Sequence, residues 1–153
     1  MTTTAKIHVP DETASTALAQ TLAPHLRAGD IVMLDGALAA GKTFFTRALG
    51  LALGTDDPVT SPTYTIANIY DLPRGNLIHI DAYRLKNERE FHNLGLEDDM
   101  ERAITVIEWG ARLGDAFPEA LSIRIDLANG ETARSYTVTA TDARWAPVLE
   151  ALA

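Results

Sequence analysis

One eight-residue segment of this sequence limits the choice of folds more than any other feature. It reads GALAAGKT over residues 36–43 and has the form G-x-x-x-x-G-K-[ST]. A continuous apolar run precedes it at residues 31–34, and residues 42–53 follow with apolar side chains at helical spacing before Gly54. The run therefore predicts a strand, a glycine-rich loop and a helix in direct succession. A strand that is apolar on both faces belongs in the centre of a parallel sheet.

A loop of this form suits phosphate groups. Its backbone N–H groups surround a polyphosphate, and the positive end of the following helix adds to the attraction. Lys42 is the only charged residue between Asp35 and Arg47, so we expect its ammonium to lack a carboxylate partner in the loop and to be free for phosphate oxygens. Thr43 would place its hydroxyl on Mg²⁺. The nucleotide-binding residues expected in this segment are Gly36, Ala37, Leu38, Ala39, Ala40, Gly41, Lys42, Thr43 and Phe44.

The rest of the chain alternates predicted strands and helices. An edge strand at residues 6–9 comes first, followed by a helix that is opened at residues 10–12 and stopped at 29–30. After the loop and its helix come a hairpin of residues 64–70 and 77–83, short helices at 87–94 and 97–103, and a buried strand at 104–107. The chain then has strands at 121–127 and 134–140 around a turn at 129–130, and a helix at 142–152. We expect one domain over residues 1–153. Its predicted fold is α/β in three layers, P-loop NTPase-like, with a mostly parallel central sheet and an antiparallel hairpin.

Charge and composition narrow the partners. The chain has 13 Lys and Arg against 21 Asp and Glu, a net charge of −8, and so acidic a surface repels a nucleic-acid backbone. It has no cysteine, which excludes disulfides, thiolate metal sites and cysteine nucleophiles. No stretch approaches the roughly 18 apolar residues of a membrane span. We expect a cytoplasmic protein without membrane contact.

Two carboxylates are candidates for the acid that holds Mg²⁺. Asp81 and Glu108 each end an apolar run, as such an acid does in nucleotide-hydrolysing enzymes with this loop, and spacing alone does not choose between them. Arg84 is the nearest arginine in sequence that could neutralise phosphate charge. His79 should face the same side as Asp81, but a lone strand histidine is more often a hydrogen-bonded packing residue, and we assign it no chemistry.

Four motifs in this order resemble the TsaE (YjeE) family. They are the loop above, SPTY at residues 61–64, HIDAYRL at 79–85 and IEW at 107–109. Members of that family are small bacterial P-loop ATPases required for N6-threonylcarbamoyladenosine (t6A) formation in tRNA. The resemblance covers nearly the whole chain, with a looser match over roughly the last 35 residues.

The resemblance implies a Mg²⁺-dependent ATPase, weakly active alone, that cycles with its nucleotide on partner proteins of the TsaD and TsaB type and meets tRNA only through them. Lys42 and the loop amides would bind ATP, and Thr43 and Glu108 would ligate Mg²⁺. Asp81 would support hydrolysis. The further nucleotide contacts that the resemblance implies are Thr13, Thr63 in a switch segment near the γ-phosphate, and Trp109.

Some features leave other interpretations open. Family members tend to have an acid and a glycine where this chain has Ala37 and Ala39. A small-molecule kinase would share the loop but needs an arginine-rich lid, and no such insert is visible between residues 64 and 91. In a nucleotide-gated adaptor that does not hydrolyse ATP, the two acids would be structural. Trp109 suits a sheet edge as well as an adenine, and residues 145–149 present an apolar stripe that docks the last helix.

Overall fold

Strand β2 (Ile31–Gly36) lies at the centre of a seven-stranded sheet. The computed structural model describes residues 2–37, 40–56, 59, 66–113, 116–128 and 132–152. The other strands are β1 (Thr3–Val9), β3 (Ala67–Asp71), β4 (Asn76–Asp81), β5 (Ala103–Glu108), β6 (Leu121–Leu127) and β7 (Arg134–Ala140), and the order across the sheet is β1-β7-β6-β2-β5-β4-β3.

The middle of the sheet is parallel and its flanks are antiparallel. β2 runs parallel to β5 and β6, and β4 runs parallel to β5. β3 and β4 form the predicted hairpin on one side, while β6, β7 and β1 form an antiparallel set on the other. The expected parallel centre, edge strand and hairpin are thus confirmed, with a second antiparallel flank beside them.

Helices cover both faces of the sheet. Val32 and Leu34 contribute to the core that packs against α1 (Glu12–Leu22), α2 (Lys42–Leu53) and α5 (Ala146–Leu152). Ile31 and Met33 belong to the other core, which includes residues of the short helices α3 (Glu88–His92) and α4 (Glu97–Met100). Because successive strand residues point to opposite faces, an apolar β2 serves both cores. The three-layer α/β prediction is confirmed.

Several predicted boundaries were wrong by a few residues, each for a local reason. α1 ends at Leu22 and a 3-10 turn follows, because Pro24 has no N–H to continue the helical pattern. The predicted strand ends at Asp81 and not at residue 83, because the Asp81 carboxylate accepts a hydrogen bond from the N–H of Tyr83 and opens another 3-10 turn. α4 ends at Met100, since β5, buried along its whole length, begins at Ala103.

The predicted apolar stripe of the C-terminal helix is confirmed. A 3-10 turn (Ala143–Trp145) precedes α5, and Trp145, Val148 and Leu149 are buried against the sheet as the stripe predicted. The predicted turn at residues 129–130 and the first two residues of the predicted strand at 64–70 lie outside the described residues. Within the part of the chain that is described, no helix has the length and apolar character needed to cross a bilayer.

Candidate functional site

Three strand ends and one helix start meet at one edge of the sheet. β2, β4 and β5 are parallel, so their carboxyl ends lie together, and α2 begins just beyond β2. Asp81 and Glu108 are paired residues at the ends of β4 and β5, and Leu34 pairs with Glu108 from β2. Ligands of open α/β sheets bind outside the carboxyl ends of the strands. This edge is therefore the candidate site.

Glycine is required at both ends of the loop. A Cβ on Gly36 would lie 2.4 Å from the carbonyl oxygen of Ile125 on β6, which leaves no room for a side chain. Gly41 adopts φ 111° as the residue that opens α2, and no side chain caps this helix start. An uncapped first turn has free N–H groups that can bind an anion. Leu38 and Ala39 lie outside the described residues.

Lys42 is buried and bonded to the loop. Its Nζ donates to the carbonyl oxygens of Gly36 at 2.8 Å and Ala37 at 3.0 Å, and the side chain lies 4.0 Å from the centroid of the Trp109 ring. No ion pair within 4.0 Å joins Lys42 to a carboxylate among the described residues, as expected, and its role toward phosphate stays a prediction. Burial lowers the pKa of Lys42, against the opposing charges of Glu108, Asp35 and Asp81.

Glu108 joins the loop helix to the neighbouring strand. The residue is 4% exposed, and its carboxylate accepts a hydrogen bond from the Thr43 hydroxyl, at 3.2 and 3.3 Å to its two oxygens. Its Oε2 also bonds to Nε2 of His79, which is fully buried on β4. Of the two candidate acids, Glu108 is thus the one that contacts Thr43.

Asp81 lies beside this cluster with a different contact. It is partly buried, its charge acts on Lys42, and its carboxylate accepts from the N–H of Tyr83 at 2.9 Å. The next residues along the chain, Tyr83 and Arg84, are both exposed. The predicted role of Arg84 toward phosphate stays a prediction.

Trp109 covers the site from above Lys42. It is a non-glycine residue with positive φ, 62°, its N–H donates to the Leu34 carbonyl at 2.8 Å, and its ring packs 5.1 Å from that of Tyr83. A bulky residue in this backbone region is strained, and such strain collects at functional sites. Trp109 contacts the loop lysine and also packs against the apolar core, and its predicted contact with the nucleotide stays a prediction.

A small cavity of about 90 Å³ adjoins the loop on the β7 side. Arg134 lines it and its Nε donates to the Ala40 carbonyl at 2.8 Å, which ties β7 to the loop. The hydroxyls of Ser15 and Tyr136 bond to each other at 2.9 Å beside Phe44. Thr13 is exposed and does not line this cavity, and Thr63 lies outside the described residues, so both contacts stay predictions.

The residues present fit Mg²⁺ carried by a phosphate. A hydroxyl and a carboxylate, Thr43 and Glu108, are hard oxygen donors of the kind that Mg²⁺ uses. Among the described residues no three His, Asp or Glu side chains group as a complete metal cage. Mg²⁺ sites that use one or two protein oxygens take their remaining ligands from phosphates and water. The donor set therefore suits a cation that arrives with a nucleotide.

His79 is buried and hydrogen-bonded, as expected of a strand histidine, but the sequence did not predict Glu108 as its partner. Arg134 was not predicted at this site. Arg134 stands in no motif and is 94 residues from Ala40, so nothing local in the sequence could have found it.

Fold and site together define a P-loop NTPase-like α/β protein. The chain belongs to the TsaE family: the sequence profile of "Threonylcarbamoyl adenosine biosynthesis protein TsaE" matches residues 9–136. The family has a role in tRNA threonylcarbamoyladenosine biosynthesis, as the resemblance implied.

Relatives and a solved structure agree with this assignment. The TsaE protein of Streptomyces coelicolor is 45% identical over 136 residues, which cover 84% of this chain and 92% of that protein. That of Treponema pallidum is 41% identical over 109 residues, covering 69% and 79%. The crystal structure of Bacillus subtilis YdiB superposes with a TM-score of 0.79 at 29% identity, over 99% of this chain and 95% of that one.

Proposed function

We propose that this chain is a Mg²⁺-dependent ATPase that serves t6A formation through nucleotide-dependent binding to TsaD- and TsaB-type proteins. The observation that carries the proposal is the meeting of Lys42, Thr43 and Glu108 at the uncapped start of α2. A cation, a hydroxyl and a carboxylate at a helix N-terminus are the groups that a Mg²⁺–triphosphate needs.

Lys42 has a defined task in this proposal. Its ammonium is desolvated, and its contacts within the described part of the chain are with neutral groups, the two loop carbonyls and the Trp109 ring. Phosphate oxygens are charged acceptors and form stronger hydrogen bonds than carbonyls do. ATP would therefore draw the ammonium from the loop carbonyls to the β- and γ-phosphates.

The two acids divide the remaining work. Thr43 and Glu108 would hold Mg²⁺, which when bound neutralises charge on the phosphates. Asp81 is at the same edge but not bonded to Thr43, and it would orient the attacking water through its carboxylate. Arg84, the nearest arginine in sequence, is exposed, and Arg134, which reaches the loop, donates to the Ala40 carbonyl. We expect slow turnover by the chain alone and faster turnover with partners that complete the site.

The acidic charge of the chain supports contact with proteins instead of RNA. Each contact with an RNA phosphate needs a Lys or Arg, and the net charge is −8. We propose that tRNA is reached only through the partner proteins and that the nucleotide state sets the affinity for them.

Calorimetry with a slowly hydrolysed ATP analogue and Mg²⁺ tests the site. Lys42→Ala should weaken binding on the order of 100-fold, because charge-assisted hydrogen bonds to phosphate are lost. Lys86→Ala removes an exposed lysine remote from the loop in sequence and should bind like the wild type. Equal affinity of Lys42→Ala and wild type would overturn the assignment of the loop.

Phosphate release tests the reaction. The wild type should release inorganic phosphate from ATP slowly, and addition of TsaD- and TsaB-type proteins should raise the rate, by up to about 10³-fold if an arginine is supplied. Binding without phosphate release in either condition would favour a non-hydrolysing adaptor.

A further inference from the structure

His79 stands out among the buried polar residues around the site. It is fully buried on β4, its Nε2 bonds to Glu108, and its Nδ1 has no hydrogen-bond partner among the described residues. A carboxylate oxygen accepts, so Nε2 carries the proton in this bond. The polar contact of the imidazole is therefore directed to one group, the Glu108 carboxylate.

Packing alone does not explain an imidazole at this position. Its register partner on β5 is Val106, and the adjoining core is apolar. A buried nitrogen without a partner has an unfavourable desolvation cost, which an apolar side chain of similar size would avoid. The feature that distinguishes His79 from such a side chain is its bond to Glu108.

That bond limits where the Glu108 carboxylate can turn. Thr43 contacts the carboxylate from α2 while His79 holds Oε2 from β4. The charge of Glu108 also acts on Lys42, yet no ion pair within 4.0 Å joins these two among the described residues. Without His79, the carboxylate would be free to rotate toward the ammonium and leave Thr43.

We propose that His79 is a positioning residue, which holds Glu108 toward Thr43 so that the pair can take up Mg²⁺ with a bound nucleotide. This inference rests on the proposed function. Residues that orient a metal ligand without touching the metal commonly change metal affinity by about 10- to 100-fold when they are replaced. We expect His79 to affect the Mg²⁺-dependent part of nucleotide affinity and to leave the rest unchanged.

The experiment compares nucleotide affinity with and without Mg²⁺. A slowly hydrolysed ATP analogue is titrated by calorimetry into each protein in excess EDTA and again in excess Mg²⁺, and the ratio of the two affinities gives the gain due to Mg²⁺. His79→Leu should reduce this gain by about 10-fold or more while its affinity in EDTA stays within about twofold of the wild type. His79→Gln, whose amide can donate near the position of Nε2, should keep most of the gain.

Thr105→Val is the matched control. Thr105 is a fully buried residue of β5 whose hydroxyl has no hydrogen-bond partner among the described residues, Glu108 included. This variant should keep the full gain. Should His79→Leu fail to fold, His79→Gln is compared with His79→Asn, whose shorter amide cannot reach the Nε2 position and should lose the gain.

The outcomes separate this inference from the proposed function. An unchanged gain in His79→Leu, or equal losses in EDTA and Mg²⁺ for all His79 variants, would overturn the positioning role alone. A wild type that binds no nucleotide, or binds it without any gain from Mg²⁺, would overturn both the proposed function and this inference.

Discussion

Two buried charge clusters lie near opposite ends of the central strand β2. Asp30 directly precedes the strand and forms an ion pair with Arg144. Glu108 lies beside Leu34, near the other end of the strand, and its charge acts on Lys42. Each cluster places a cation over a tryptophan. Arg144 lies 4.2 Å from the ring centroid of Trp145, and Lys42 lies 4.0 Å from that of Trp109. The two clusters thus share their chemistry and differ in how completely it is satisfied.

The cluster at Asp30 is closed. Both carboxylate oxygens accept hydrogen bonds from Arg144, and one also accepts from the Arg27 N–H at 2.8 Å. Arg144 donates in addition to the His25 carbonyl, and the Trp145 indole donates to the Glu119 carbonyl, both at 2.8 Å. A fully paired buried charge fastens the chain segments that supply it. This cluster joins the start of β2 to the C-terminal helix.

The cluster at Glu108 is open. Lys42 has neutral acceptors, the Thr43 hydroxyl lies at 3.2 and 3.3 Å from the carboxylate, and Nδ1 of His79 has no partner among the described residues. Burial lowers the pKa of Lys42, which means that this site disfavours its charged form. Under the proposed function, the paired buried charge at Asp30 serves stability and the less completely paired one at Glu108 serves ligand binding.

Arg144→Met gives the largest expected effect on stability. It keeps an apolar stem over Trp145 but leaves Asp30 as a buried charge without its partner, so we expect a loss of about 3 kcal/mol in the free energy of unfolding. Urea denaturation measures it. Arg102→Met is the matched control, because its ion pair with Asp99 is exposed and should contribute less than about 1 kcal/mol. Equal stability of Arg144→Met and wild type would remove the basis of the comparison.

Glu108→Gln should weaken ligand binding and leave stability nearly unchanged. The amide has nearly the same shape and can still accept from Thr43 and His79, so we expect unfolding free energy to change by less than about 1 kcal/mol. Its lost charge should weaken binding of the ATP analogue in Mg²⁺ by about 10- to 100-fold. Calorimetry and urea denaturation on the same preparation give both numbers. A large loss of stability with unchanged binding would make Glu108 a structural residue like Asp30.

The difference between the clusters also marks what the sequence could predict. The strand, loop and helix at residues 31–53 form a continuous local pattern, and the structure confirms the strand and the helix along with the buried stripe of Trp145. The sequence also predicted Lys42, Thr43 and the two acids as site residues, because a phosphate-binding loop requires those residue types.

Contacts between distant segments were beyond its reach. Arg144 is 114 residues from Asp30, and its charge resembles that of any surface arginine in the sequence. The bond of His79 to Glu108 follows only once β4 is known to lie beside β5. The sequence argument for Lys42 considered carboxylates alone, so it did not predict the contacts with the loop carbonyls and the Trp109 ring.

Tryptophan fluorescence compares the two clusters without changing a charged residue in either. The chain has two tryptophans, one in each cluster, and nucleotide binding would move Lys42 away from the ring of Trp109. We expect Trp145→Phe to keep a change in emission on addition of the ATP analogue and Trp109→Phe to lose it. A ligand-dependent signal that persists in Trp109→Phe would contradict the predicted movement of Lys42.

A third charged group lies on the surface, and we expect its loss to have the smallest effect on stability. It shows how much an exposed contact contributes beside the two buried clusters. His92 is about half exposed and bonds to Glu97 and to Glu88, the latter at 3.1 Å. The hydrogen bond to Glu97, followed by that to Glu88, raises the pKa of His92 above 6.5, and the same contact with His92 lowers the pKa of Glu97 below 4.5. Because the folded pKa of His92 is raised, its contribution to stability is complete below about pH 6.5 and is lost as the pH rises through the folded value.

The contribution of Glu97 to stability has the opposite pH dependence, because its folded pKa is lowered. It is present above about pH 4.5 and is lost as the pH falls through the folded value, so the contact stabilises the protein mainly between the folded pKa of Glu97 and that of His92. Glu97→Gln should lower the midpoint of the His92 titration followed by NMR, while the resonances of His8 on the distant strand β1 serve as the internal control. Neither nucleotide affinity nor the urea midpoint should change, because this contact is exposed to solvent. An unmoved His92 midpoint in Glu97→Gln would show that the surface contact has no energetic weight, and paired charge would then stabilise this protein only where it is buried.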